Sequence, residues 1–239
     1  MFRRRFGGAW IVFAVALLGV ALIATATPAQ AVTFDLTSCH ISTGCPPAGT
    51  IFGTVTLTTS GTGVLFDVVL NNGSRFVETG AGGGSLFLFN DSVAGSTVTG
   101  ITATLNGATV TITGGLTGLT NQSPIMADGT GTFTAAVKCT LDASCNGGST
   151  PNINDLHFTV TNATIDQLDN GNALGNIFVA DILCGAGVSV CGGLTGPVDV
   201  STPGVVPEPT TLLMVGTALV GLGGAWRRRR SQRALALAV

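Results

Sequence analysis

Tyrosine is absent from the 239-residue chain, only 9% of its side chains are charged, and it has two histidines, His40 and His157. Both tryptophans, Trp10 and Trp226, lie in uncharged apolar runs near the ends, at 10–27 and 210–226. The stretch 32–206 therefore has neither Trp nor Tyr to stack on a sugar ring, which argues against an ordinary lectin. Basic residues are as scarce there. Arg75 and Lys138 stand against eleven acidic side chains, a formal charge near −9 that the terminal arginines bring to −2 for the whole chain. A surface of that sign repels phosphate backbones, so nucleic acid is excluded as a partner.

Catalytic motifs are missing as well. Gly83-Gly84-Ser85-Leu86-Phe87 and Gly187-Val188-Ser189-Val190-Cys191 approach the nucleophile elbow but lack its last glycine. No zinc-protease H-E-x-x-H and no phosphate-cradling loop occurs. A carboxylate pair formed across strands, as a hydrolase would need, is not visible in a sequence. The expectation is a protein that is not an enzyme.

What is present begins with an export signal. Arg3, Arg4 and Arg5 precede the apolar run, Pro28 stops its helix, and Ala29-Gln30-Ala31 offers the small-x-small site of a signal peptidase. Cleavage after Ala31 is expected, by the general export route rather than the twin-arginine one. An uncleaved anchor would orient the chain the same way, with the arginines in the cytoplasm.

Six cysteines fall into close pairs: Cys39 with Cys45, Cys139 with Cys145, and Cys184 with Cys191. Sequence alone leaves all connectivities formally open. The spacing favours local bridges in an oxidising compartment, each stabilising by about 2–2.5 kcal/mol. Zinc is the competing reading, disfavoured because Cys39 and His40 are adjacent and the spacings exceed the usual ones.

Residues 32–200 read as an all-β, single β-sandwich-like domain with long Gly/Thr/Asn-rich loops. Strands are expected at 51–58, 64–70, 75–78, 86–89, 98–105, 108–113, 132–138, 156–163 and 177–183. Asn71-Asn72-Gly73 and Asn106-Gly107 each predict a hairpin. Gly80–Gly84 and 114–131 are expected to be surface loops, and Thr164–Leu168 a helical turn. Asp166, Asp169, Asn170 and Asn172 offer oxygens that suit calcium, although they fail the EF-hand spacing and also read as a plain turn. His157, inside LHFTVT, is expected to point outward from a strand.

The C-terminus is more specific. A short linker, 201–206, leads to Pro207-Glu208-Pro209, then an apolar run with Gly216, Gly221, Gly223 and Gly224, then Arg227, Arg228, Arg229 and Arg230. Seventeen helical residues span about 25 Å, a little short of the roughly 30 Å hydrocarbon core, so the helix halts in the membrane without anchoring firmly. This tripartite end, 207–230, resembles the PEP-CTERM sorting signal of exosortase substrates; a tail, 231–239, follows it on the cytoplasmic side. The run Phe52–Thr58 with Phe76–Gly82 is similar to stretches in other proteins with such tails. The resemblance implies cleavage near Pro207–Pro209 by an exosortase, after transit through the inner membrane of a Gram-negative cell. It further implies delivery to the cell surface or medium, where family members accompany exopolysaccharide and biofilm matrix.

Two roles follow for the body. The first is a non-catalytic surface or matrix component. The second is a glycan-binding module, with calcium as an optional bridging ion. An extracellular hydrolase is the weaker third.

Overall fold

Strands in the body bury every second side chain, and the alternation is cleanest in GTVTLTTS and DLHFTVT. The computed structural model describes residues 30–78, 84–141, 144–145 and 153–200, all within one compact unit, Gln30–Pro207. The expected signal-peptide helix, transmembrane helix, linker and arginine cluster lie outside the described residues, as does most of the Gly80–Gly84 loop. No helix among the described residues is long and apolar enough to cross a membrane.

In chain order the strands begin with β1 (Ala31–Leu36), β2 (Ser38–Cys39), β3 (Gly53–Ser60), β4 (Gly63–Leu70), β5 (Arg75–Phe76) and β6 (Ser85–Phe89). They continue with β7 (Thr97–Leu105), β8 (Ala108–Thr109), β9 (Leu116–Leu119), β10 (Ile125–Ala127) and β11 (Gly131–Phe133). The last are β12 (Ala135–Cys139), β13 (Asp155–Thr161), β14 (Phe178–Leu183) and β15 (Thr195–Val200), with a one-turn helix α1 (Ile165–Leu168) after β13.

Among the described residues two large antiparallel sheets form, beside a separate two-stranded one, β10-β11. The first has the order β1-β3-β4-β13-β7-β8; the second has β2-β15-β14-β6-β12-β9, with β5 beside β14. β1 and β2 are one strand that changes sheet at Thr37, whose N–H donates to the Asp199 carbonyl at 3.1 Å. Between the sheets lies a phenylalanine core. Phe66 and Phe158 are cross-strand partners that stack with centroids 4.6 Å apart. Phe87, Phe89 and Phe178 meet them from the second sheet at 5.1–6.3 Å. All five are fully buried, each worth about 1.5–3 kcal/mol of hydrophobic stabilisation.

The three cysteine pairs are bridged as the spacing favoured, with Cα separations of 5.7, 6.2 and 5.7 Å. Cys39 ends β2, Cys139 ends β12 and Cys184 follows β14. Those three strands run in one direction, so every bridge closes a loop at the same end of the second sheet. β15 runs the other way, and Val200 leaves at the opposite end, where β1 enters.

Several expectations change. The Asn71-Asn72-Gly73 turn forms, with φ of 56° and 77° at Asn72 and Gly73, but it is no hairpin: β4 stays in the first sheet and β5 pairs with β14 in the second. The turn is clamped by the Cys184–Cys191 loop, where Gly187 N–H donates to Asn72 O at 3.2 Å and Gly185 N–H to Ser74 Oγ at 3.0 Å. Asn106-Gly107 does make a two-residue hairpin, joining Leu105 to Ala108, although β8 is only two residues long.

The segment 114–131 is not a surface loop. It supplies β9, β10 and the start of β11, and the β10–β11 hairpin covers the outer face of the second sheet. Ala127 and Phe133 bury Leu88, Ala136 and Val179 there in a second small core. These outward apolar residues need such a cover because their strands lack polar alternation. The expected strand 132–138 breaks at Thr134, whose hydroxyl donates to Asp91 O and accepts from Asp91 N–H, both at 2.9 Å. β15 was concealed by Pro197, a residue that argues against an inner strand. Its missing N–H faces the side of the two-residue β2, where the Pro197 carbonyl accepts from His40 N–H at 3.0 Å beyond the ladder.

Candidate functional site

The side chains with latent chemistry are mostly committed to structure. Ser85 is buried within β6, while Ser189 is exposed in the Cys184–Cys191 loop. Cys39 is bridged to Cys45 and so is no zinc ligand. Its neighbour His40 places Nε2 2.9 Å from Asp199 Oδ2 and 3.2 Å from Ser38 Oγ, an arrangement that sequence spacing did not reveal. Serine and carboxylate meet the same ring nitrogen. A relay needs one at each nitrogen, so the trio is not a hydrolase triad. The hairpin tip closes over the other nitrogen: a Cβ on Gly129 would lie 2.8 Å from His40 Nδ1.

Of the calcium candidates the asparagines are engaged, while Asp166 is exposed. The Asn170 side-chain amide donates to Asp166 O at 2.8 Å. Thr164 caps α1, and Asp169 ends it. Asn172 Oδ1 accepts from Leu174 and Asn176 N–H at 2.9 and 3.1 Å, and the Asn172 and Asn176 side-chain amides both donate to Thr130 O, at 2.7 and 2.8 Å. Their work is to pin the β10–β11 tip. Burial, and secondarily the charge of Asp166, push the Asp169 carboxyl above its ordinary value. Among the described residues no group of three or more His, Cys, Asp or Glu converges as a metal site would require.

The surface with the most regular chemistry is the outer face of the first sheet. Thr33, Thr56, Asp67, His157 and Thr102 are successive cross-strand partners, forming one rank across five strands. Asp35, Thr54, Val69, Asp155 and Thr104 form the next rank; Thr58, Leu65, Thr159 and Thr99 form the one on the other side. His157 points outward as expected, with Nδ1 3.1 Å from Asp67 Oδ1.

One device keeps β7 in this array. Its threonines sit at 97, 99, 102 and 104, a pattern whose parity changes midway. A β-bulge places Gly100 and Ile101 opposite Phe158 alone, with Gly100 at φ 62°, and returns Thr102 and Thr104 to the face of Thr97 and Thr99. Cross-strand bonds hold the array: Thr33–Thr56 hydroxyls at 3.0 Å, Thr97–Thr161 at 2.8 Å, and Thr104 Oγ1 donating to Asp155 Oδ2 at 2.6 Å. Asp155 Oδ1 is buried and has no hydrogen-bond partner. The six strands of this sheet contain no Lys or Arg; Arg75 and Lys138 lie on β5 and β12 of the second sheet.

The body is thus a disulfide-bridged β-sandwich that carries an ordered hydroxyl face. Comparison places a sorting signal after it: residues 205–230 match the PEP-CTERM protein-sorting motif, which implies exosortase processing and export across the membrane to the cell surface. Pro207, Glu208, Pro209 and Arg227–Arg230 all fall inside the matched span, outside the described residues. Of the expected signal-cleavage pair, Ala29 lies outside the described residues and Ala31 opens β1. No curated protein and no solved structure matches the chain.

Proposed function

We propose that the protein is a non-catalytic component of the cell surface or extracellular matrix of a Gram-negative bacterium, associated with exopolysaccharide or biofilm. Signal peptidase removes the segment through Ala31. The C-terminal helix and Arg227–Arg230 then hold the chain in the inner membrane until an exosortase cuts near Pro207–Pro209. The observation that carries the reading is the sorting motif at 205–230 behind a bridged sandwich. Local disulfides suit an oxidising, extracytoplasmic compartment.

The test is the intact mass of native protein from envelope and medium, before and after reduction. The expected species spans 32 to about 206 and gains two hydrogens per bridge on reduction. A species retaining 210–239 and found only in the inner membrane overturns the processing step.

A second reading, a glycan-binding module, is favoured by the hydroxyl ranks of the first sheet. In its calcium-dependent form the melting temperature rises with calcium and falls again with chelator; an unchanged melting temperature removes that form.

A further inference from the structure

We propose that the threonine face of the first sheet binds a polycationic amino-sugar polysaccharide, one whose sugars are partly N-deacetylated. The proposal rests on the glycan-binding reading and specifies its ligand. Three observations select this chemistry over a neutral glycan or an anionic one.

The first is charge. The face carries Asp35, Asp67 and Asp155 with no Lys or Arg on any strand of the sheet. An anionic polysaccharide is repelled there, and an ammonium-bearing one is attracted.

The second is the lack of a stacking platform. The phenylalanines of this sheet all point inward, and the outer face has no aromatic side chain besides His157. A neutral sugar would depend on neutral hydrogen bonds that merely replace bonds to water. Bonds between carboxylate and ammonium are roughly twice as strong as neutral ones, so the ligand that gains most brings its own positive charge.

The third is order. Strands about 4.8 Å apart, with like-facing residues about 6.7 Å apart along each strand, set hydroxyls and carboxylates in a two-dimensional array. Cross-strand bonds fix that array before any ligand arrives. A polymer repeating hydroxyl and ammonium groups engages it at several points, and a preformed surface loses little conformational entropy on binding. Asp155 contributes charge rather than a direct contact: Oδ2 is held by Thr104 and Oδ1 is buried without a hydrogen-bond partner, so its negative field acts on a ligand from within the face.

The experiment uses the full chain in a non-ionic detergent. Retention is measured on chitosan beads, on fully N-acetylated chitin beads and on immobilised polylysine. Expected is retention on chitosan at least about tenfold stronger than on chitin, reduced about tenfold by combined Asp67→Asn and Asp155→Asn. Asp128→Asn, at the exposed hairpin tip over the second sheet, removes the same kind of charge elsewhere and leaves retention within about twofold. Thr54→Lys, which adds a cation to the face and deletes no carboxylate, also weakens retention, and melting temperatures verify that each variant is folded.

Failure to bind chitosan overturns the proposal. So does equal loss with Asp128→Asn, which would mean general charge attraction. Polylysine retention of equal strength and equal sensitivity to the face variants overturns it too, by showing a surface for any polycation. Chitin retention as strong as chitosan retention overturns the ionic specificity while sparing the broader glycan reading. Processing by exosortase is read separately from the intact mass and stands or falls independently.

Discussion

Deleting Gly100 is the sharpest test of how the hydroxyl face is built. Without the bulge residue, β7 must either slip or turn over on one side of the deletion. If its first half turns, the hydroxyls of Thr97 and Thr99 enter the core side and Val98, now packed on Gly118, faces water. Two buried hydroxyls without partners cost about 1–3 kcal/mol each, and exposing a half-buried valine adds about 1 kcal/mol. The sum is about 3–7 kcal/mol, a large part of the 5–15 kcal/mol that holds a typical domain together. Gly100→Ala is the control. Its Cβ meets nothing within 4 Å, so only the positive φ is penalised, at about 1–2 kcal/mol. Urea unfolding with the disulfides intact should therefore show a loss several times larger for the deletion than for the alanine. Equal, small losses would refute the claim that the bulge is what keeps both threonine pairs on one face.

Two further outcomes follow from burial. Asp169 has its folded-state carboxyl raised above the ordinary value, so the folded state holds the proton more tightly than the unfolded one. Its unfavourable contribution is absent below the unfolded value, develops as pH rises through the window up to the folded value, and persists above. Asp169→Asn is thus expected to be slightly more stable than the native protein at neutral pH, with the difference closing under acid in paired thermal melts; a difference that widens in acid reverses the sign and defeats the argument. Mild thiol treatment followed by alkylation mapping should label Cys39 and Cys45 first, since Cys45 is exposed whereas Cys139, Cys145, Cys184 and Cys191 are buried. Earlier labelling of Cys184 and Cys191 would contradict protection by burial.

Local features of this fold were legible because each is written in a few adjacent residues. The bridges follow short cysteine spacings, α1 follows Thr164 with Gln167 three residues on, and the Asn106-Gly107 hairpin follows its positive-φ pair. Pairing partners were not legible. Asn71-Asn72-Gly73 carries the same turn signal as Asn106-Gly107, yet only the second returns the chain to its own neighbour. What separates them is Phe76, buried in the core, and a disulfide loop more than a hundred residues away that receives the first turn. The outer cover of the second sheet was hidden for a similar reason: Leu88 and Val179 read simply as apolar, and nothing local says which of two faces each requires. The sorting tail stands at the opposite extreme, because it is a linear signal whose order of parts is its whole meaning.

The threonine face falls between these cases, and the difference is instructive. TVTLT in β3 declares one polar face by strict alternation. TVTGITAT in β7 breaks that alternation at Gly100, which invites the conclusion that its two threonine pairs lie on opposite sides. Gly is also the residue that a bulge accepts at positive φ, so the break in parity and its remedy occupy the same position. A break in alternation centred on glycine is therefore a signal of preserved facing. The threonines on either side of Gly100 share one surface because an extra residue stands between them.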